Sequence, residues 1–82
     1  SIFKKDLKRT AKQSRNIKKL QQVLEQLAIP APLPSKHKDH KLKGDWIDFR
    51  ECHIEPDWLL IYTISDFELR PVRLGTHSEL FD

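Results

Sequence analysis

The chain has 82 residues, of which 33% are charged and 38% are hydrophobic. A chain this short buries only about 60% of its unfolded surface, so residues 1–82 allow a single domain and exclude a second one. The longest apolar run, Trp58–Tyr62, falls far short of the ~18 residues that span a bilayer, so no membrane partner is expected. The one cysteine, Cys52, excludes an internal disulfide and indicates a reducing cytoplasm.

Positive charge is concentrated at the start of the chain. Residues 1–19 hold eight basic side chains and one acidic side chain, whereas the remaining 63 residues hold seven basic and eleven acidic ones. A basic segment of this kind favours a polyanion or an acidic protein as partner. A lysine-rich helix face that contacts only water explains the same pattern, so charge alone leaves both interpretations open.

Two amphipathic helices are predicted in the first third of the chain. Apolar residues four apart, at Phe3, Leu7 and Ala11, mark the first helix. Asn16 is a candidate N-cap for the second. The second helix has its apolar residues at Ile17, Leu20, Val23, Leu24, Leu27 and Ala28. The short segment between the helices predicts an antiparallel hairpin.

The rest of the chain changes from loop to strands. Prolines from residue 30 onward end the second helix and begin a polar loop that runs to Lys41. Strands are predicted over Trp46–Ile54, Trp58–Ile64 and Glu68–Leu74, and a helical turn over Thr76–Leu80. Short turns make the strands an antiparallel meander, with Trp58–Tyr62 in a central strand buried on both faces.

These elements predict an α+β fold in which a helix hairpin packs on one face of a small antiparallel sheet, followed by a short C-terminal helical turn. Because three strands make a thin sheet, we expect a fourth to be supplied from outside this sequence.

Titratable side chains follow the strand ends of this topology. His53 lies near the end of the first strand, Asp57 in the turn after it, and His77 just past the third strand. These three residues should meet at one sheet edge, and the loop before the first strand can bring His40 over them. Cations are available at Lys41, Lys43, Arg50 and Arg73.

Several imidazoles beside a carboxylate suit proton transfer near neutral pH. RNA cleavage by its own 2′-hydroxyl needs a base for that hydroxyl, an acid for the departing 5′-oxygen and a cation for the phosphorane. This chemistry needs no metal and no cofactor.

Other interpretations of the same residues stay open. His37 and His40 are spaced to bind a metal, and Asp57 could be only a turn residue. No serine lies in a nucleophile-elbow context. Trp46 and Trp58 suit a core better than a base-stacking platform. Phe81, near the end of the chain, is as easily a ligand contact as a packing residue.

Three blocks of sequence, KDH at 38–40, HIEPDWLLIY at 53–62 and GTHSELF at 75–81, together resemble YafQ-type toxins of bacterial toxin–antitoxin modules, within the RelE superfamily. The resemblance runs through the whole chain. Members of that family normally begin with a short strand before the first helix. This chain starts where that helix should begin, so we expect the family's first strand to be missing from it.

The resemblance implies a ribosome-dependent endoribonuclease that enters the A site, cuts mRNA there and thereby inhibits translation. It also implies a cognate antitoxin, mRNA and ribosomal RNA as partners, with operator DNA bound only through the antitoxin complex. The family's active-site positions fall on His40, His53, Asp57, His77 and Phe81, with Trp58 nearby.

We expect His77 to be the general acid, and either His40 or Asp57 the base. His53 would orient substrate or stabilise charge, and Phe81 would position the nucleotide. Two other classes remain: a co-repressor that acts only through the antitoxin complex without nuclease activity, and a metal-dependent hydrolase.

Overall fold

The computed structural model describes residues 2–29, 33–65 and 68–81. Its helices and strands are α1 (Ile2–Lys12), α2 (Ile17–Leu27), β1 (His40–Lys41), β2 (Arg50–Glu55), β3 (Trp58–Ser65), β4 (Glu68–Gly75) and α3 (His77–Phe81). Short 3-10 turns occupy Ser35–His37 and Gly44–Trp46. The strands form one antiparallel sheet in the order β1-β2-β3-β4. The predicted α+β class is confirmed.

Strand β3 is the centre of the sheet, because its residues 58–62 are at most 1% exposed. Trp58, Leu60 and Tyr62 belong to a helix-side cluster that also contains residues of α2. Leu59 and Ile61 belong to a second cluster on the opposite face, where they pack with Leu80 of α3. This alternation confirms the prediction of a central strand buried on both faces.

The two long helices cover one face of the sheet. Leu20 and Val23 are buried in the helix-side cluster, and Phe3 and Leu7 of α1 pack against it. The Asn16 side chain caps α2 by accepting a hydrogen bond from the Lys18 backbone N–H at 3.1 Å, as predicted. No helix within the described ranges is long and apolar enough to cross a bilayer.

The start of the sheet differs from the prediction in two ways. The first predicted strand begins at Arg50 and not at Trp46, because Gly44–Trp46 forms a 3-10 turn. The fourth strand comes from the histidine loop and not from outside the sequence, since His40 pairs with Glu51 in β2. The prolines at 30 and 32, predicted to end α2, lie outside the described residues.

Asp39 accounts for the pairing of that loop with the sheet. Its carboxylate forms an ion pair with Arg50 at 3.2 Å and accepts a short hydrogen bond from the Tyr62 hydroxyl. Partial burial, together with the neighbouring Asp39 carboxylate, raises the pKa of Tyr62. Its hydroxyl therefore stays protonated and can donate. These contacts hold the loop over β2 just before His40.

A buried carboxylate joins α1 to β4. Asp6 is 3% exposed and accepts hydrogen bonds from Arg73 Nε at 2.7 Å and from the Leu74 N–H at 3.0 Å. Arg9 Nη1 also donates to it, at 3.1 Å. Burial alone would raise the pKa of Asp6, but the hydrogen bonds and the charges of the two arginines outweigh it and lower this pKa.

The same network continues to α3. Arg9 donates to the Leu74 carbonyl at 2.7 Å and pairs with Glu79 at 3.0 Å. Glu79 accepts from the Thr76 N–H, and the Thr76 hydroxyl accepts from the Glu79 N–H, which is a capping box at the start of α3. A helix of five residues is unstable alone, so these contacts hold it against α1.

Asp6 makes the free energy of unfolding depend on pH in the acidic range. The unfolded carboxyl titrates near 3.8 and the folded one titrates lower, so its contribution is complete above 3.8 and is lost as pH falls through the folded pKa. We expect Asp6→Asn to lower the free energy of unfolding by about 1–3 kcal/mol at neutral pH. The variant should also flatten the decline of that free energy between about pH 5 and pH 2, measured by urea unfolding.

Asp48→Asn is the matched control for this experiment, because Asp48 is an exposed aspartate in a turn. It should leave both the neutral stability and the acid slope near those of the parent chain. An Asp6→Asn protein with the parental acid slope would contradict this account of the network.

Candidate active site

The site contains a contact between Asp57, in the β2–β3 turn, and His77, the first residue of α3. His77 Nδ1 lies 2.7 Å from Asp57 Oδ1, and the His77 backbone N–H donates to the same oxygen at 3.0 Å. A carboxylate can only accept, so the proton of this bond belongs to Nδ1. The Nε2 atom of His77 is therefore the one left to exchange a proton with a ligand.

Asp57 is exposed in the turn, yet its titration is altered by His77. The hydrogen bond from the His77 backbone N–H, followed by that from its imidazole, lowers the pKa of Asp57. An aspartate with a lowered pKa stays ionised and binds protons weakly. Its geometry and charge suit it to orient His77 and to stabilise an imidazolium there.

His53 lies on β2 beside this pair. Its Nδ1 donates to the Pro56 carbonyl at 3.2 Å, which fixes the ring within the β2–β3 turn. Its Nε2 faces the Glu51 carboxylate at 3.5 Å. The ring centroids of His53 and His77 are 5.7 Å apart, so two imidazoles border one small surface.

Glu51 connects His53 with His40. Its side chain is only 5% exposed, and its Oε1 atom lies 3.5 Å from His53 Nε2 and 3.7 Å from His40 Nε2. His40 Nδ1 donates to the Lys38 carbonyl at 2.6 Å, so its Nε2 is directed to the carboxylate. Glu51 can stabilise a proton on either histidine.

The sequence interpretation missed Glu51. Strand alternation puts this residue on the same face as His53, two residues later. The signal was present: a carboxylate at that spacing from a candidate catalytic histidine shares its face of the sheet.

Aromatic side chains border the site on the α3 side. The Phe81 ring is 6.4 Å from that of His77 and 6.1 Å from that of Trp46, measured between centroids. Phe81 is 41% exposed, so it presents a surface on which a base can stack next to His77.

The structure thus brings together His40, His53, Asp57, His77 and Phe81. Lys43 is exposed, whereas Lys41 pairs with Arg50 in the sheet, so strand alternation directs its side chain to the face opposite that of His40.

Three further predicted substrate contacts are also not brought to this surface. Arg50 pairs with Asp39 and contacts Tyr62 of the helix-side cluster, and Arg73 pairs with Asp6 of α1. Trp58 is 1% exposed in the helix-side core, so its ring offers no face to a substrate. Local charge identified the two arginines and the family resemblance identified Trp58, but contacts between distant parts of the chain determine where they lie.

A metal ion fits part of the same surface. Ligand atoms of Glu51, His53 and His77 lie within 4.8 Å of one another. Two imidazoles and a carboxylate suit zinc, copper or nickel. Neither His37 nor His40, the pair considered from the sequence, belongs to this group of described residues, and His37 Nδ1 is engaged by the His53 carbonyl at 2.7 Å.

Comparison with known proteins is consistent across the whole chain. Residues 1–82 match the model of a family described as the bacterial toxin of the type II toxin–antitoxin system, YafQ. The chain is 42% identical to the mRNA interferase toxin YafQ of Escherichia coli K12 over 80 residues, which cover 96% of this chain and 87% of that protein.

Solved structures agree with this match. The E. coli DinJ–YafQ toxin–antitoxin complex contains a chain that is 41% identical, with a TM-score of 0.92, covering 100% of this chain and 91% of that one. A metal-bound toxin from Helicobacter pylori is 51% identical, with a TM-score of 0.91, covering 99% of this chain and 92% of that one.

Proposed function

Because the chain belongs to the YafQ family of bacterial type II toxin–antitoxin toxins, we propose that it is an endoribonuclease that cuts mRNA during translation. The observation that carries this proposal is the convergence of His40, His53 and His77 with two carboxylates beside an exposed aromatic ring. We further propose that cutting occurs in the ribosomal A site, in the cytoplasm, by attack of the 2′-hydroxyl on the adjacent phosphate.

His77 is the general acid in this mechanism. As an imidazolium it donates a hydrogen bond from Nδ1 to Asp57 and transfers its Nε2 proton to the departing 5′-oxygen. The neighbouring carboxylate stabilises that imidazolium before transfer. The products are a 2′,3′-cyclic phosphate and a 5′-hydroxyl.

His40 is the general base. Its Nε2 accepts the 2′-hydroxyl proton, and the nearby Glu51 carboxylate stabilises the charge that results. Between the two bases considered from the sequence, the lowered pKa of Asp57 favours His40, because a carboxylate that binds protons weakly removes them poorly. His53 stabilises charge on the phosphorane. Phe81 stacks on a neighbouring base.

An antitoxin is the second proposed partner, and operator DNA would be reached only through it. This proposal is supported by the relative solved in complex with the antitoxin DinJ. The lysine-rich surface of α1 and α2 suits an acidic antitoxin segment or ribosomal RNA.

Replacing His77 tests the nuclease directly. We expect His77→Ala to reduce cleavage of mRNA on programmed ribosomes by about 100-fold or more, because the leaving oxygen loses its acid. The variant should also no longer arrest growth when expressed alone. Its binding to the antitoxin should be unchanged.

Ser78→Ala is the matched control, since Ser78 is the exposed neighbour of His77 in α3. It should arrest growth like the parent chain. If His77→Ala arrests growth equally well, the assignment of the acid is wrong. If the parent chain causes no arrest at all, a co-repressor without nuclease activity becomes the better account.

Metal independence is a separate proposal with its own test. We expect cleavage to be unaffected by EDTA, because acid–base transfer by imidazoles needs no metal ion. We expect added Zn²⁺ to inhibit, because an ion held by Glu51, His53 and His77 would occupy nitrogen atoms that the mechanism needs free. Loss of activity in EDTA with recovery in Zn²⁺ would favour a metal-dependent hydrolase.

A further inference from the structure

Helix α3 carries two side chains of the candidate site on one face. His77 and Phe81 are four residues apart, about one helical turn, and their ring centroids lie 6.4 Å apart. Leu80 is the residue that buries α3, because it packs with Leu59 and Ile61 of the sheet. One apolar anchor sets how close the helix lies to the sheet but not the direction of its axis. The orientation of the two rings therefore depends on polar contacts.

The contact between His77 and Asp57 is too exposed to orient the helix alone. The two side chains are 55% and 62% exposed, and ion pairs open to solvent contribute little to stability. A helix of only five residues also has little stability of its own. A more enclosed contact elsewhere in α3 must hold the helix in place before His77 and Asp57 can meet.

Arg9 of α1 makes that contact. Its Nη1 donates to Asp6 at 3.1 Å, its Nη2 donates to the Leu74 carbonyl at 2.7 Å, and its Nε forms an ion pair with Glu79 at 3.0 Å. The side chains of Arg9 and Glu79 are 35% and 25% exposed, so water screens this pair less than the pair at the start of α3. Gln13, just past α1, also donates to the Glu79 carboxylate, at 3.2 Å. One planar guanidinium thereby joins α1, the end of β4 and α3.

Gly75, the last residue of β4, leaves the space through which the guanidinium passes. A Cβ atom at this position would lie 2.7 Å from Arg9 Nη2 and 3.1 Å from Glu79 Oε1. The first distance is too short for any two such atoms, so a larger residue would displace Arg9. The sequence between the sheet and α3 is thus adapted to this contact.

We propose that Arg9 is a positioning residue for the cleavage reaction: through Glu79 it fixes the orientation of α3 and so places His77 and Phe81 against the RNA. This inference rests on the proposed nuclease function. Arg9 itself touches no reacting atom. The alternative is that Arg9 only stabilises the fold, and the two accounts differ in what its loss does to His77.

The first test is the cleavage kinetics of Arg9→Gln on ribosome-bound message. We expect kcat to fall about tenfold or more with the apparent KM changed less than about twofold, because a misplaced acid slows the chemical step. The matched control is Arg70→Gln, which removes another arginine paired with a glutamate, at 3.1 Å, near the start of β4. It should cleave like the parent chain. An equal loss of kcat in both variants would overturn the proposal.

A second control separates position from stability. Val23 is 2% exposed in the helix-side cluster, so Val23→Ala lowers the free energy of unfolding without touching α3. Assayed below its unfolding transition, this variant should keep the parental kcat. If it loses as much activity as Arg9→Gln, the role of Arg9 is only to stabilise the fold.

The second test measures His77 itself and needs no RNA. In the neutral ring the proton lies on Nδ1, because that atom donates to Asp57. In folded Arg9→Gln we expect the proton to move in part to Nε2, measured by NMR of 15N-labelled histidine at mildly alkaline pH. A parental tautomer ratio in the variant would contradict the positioning role.

The third test uses the two other residues of the contact. Glu79→Gln keeps an acceptor for the Thr76 N–H but loses the charge that pairs with Arg9, so kcat should fall as in Arg9→Gln. Gly75→Ala should act in the same direction by displacing the guanidinium. Combined with Arg9→Gln, its loss should not add, because both changes break one contact. Fully additive losses would overturn the proposal.

The outcome for the parent chain separates this inference from the nuclease proposal. If the parent chain cuts no message, the nuclease proposal fails and the catalytic role of Arg9 fails with it. If the parent chain and Arg9→Gln cut equally well, the positioning role alone is overturned.

Discussion

The register of β2 against β3 is the constraint on which the site depends. Burial of residues 58–62 fixes β3 between two apolar clusters, and pairing of His53 with Leu59 then fixes β2. Alternation along β2 sends Cys52 and Ile54 into the helix-side core, while Glu51 and His53 share the opposite face with α3. A slip of one residue would exchange these two sets, so the register that packs the core also assembles the site.

Two further sets of polar contacts bring His40 and His77 to that face. Asp39 holds the loop that carries His40, through Arg50 and the Tyr62 hydroxyl. Arg9 and the capping box of Glu79 hold α3, which carries His77. The Asp39–Tyr62 and Arg9–Glu79 contacts join residues far apart in the chain. The chemistry we propose therefore depends on polar contacts that lie outside the site itself.

These long-range contacts also explain which features the sequence could predict. The helices, the buried central strand and the α+β class follow from local periodicity and are confirmed. The two-residue strand His40–Lys41 could not be predicted, because it has no apolar pattern and is held by Asp39. Arg50 and Arg73 appeared to be free cations, because nothing local reveals their pairing with Asp39 and Asp6. The meeting of the histidines followed from topology, whereas their roles stay predictions.

The most direct measurement is cleavage of a ribosome-bound message that carries a single deoxyribose 5′ to the scissile phosphate, with analysis of the ends formed on the all-ribose message. Our account predicts no cut at the modified linkage. On the unmodified message it predicts a 2′,3′-cyclic phosphate and a 5′-hydroxyl, because the 2′-oxygen is the nucleophile that attacks the adjacent phosphate. Efficient cutting beside the deoxyribose, or a 5′-phosphate on the product, would contradict the account.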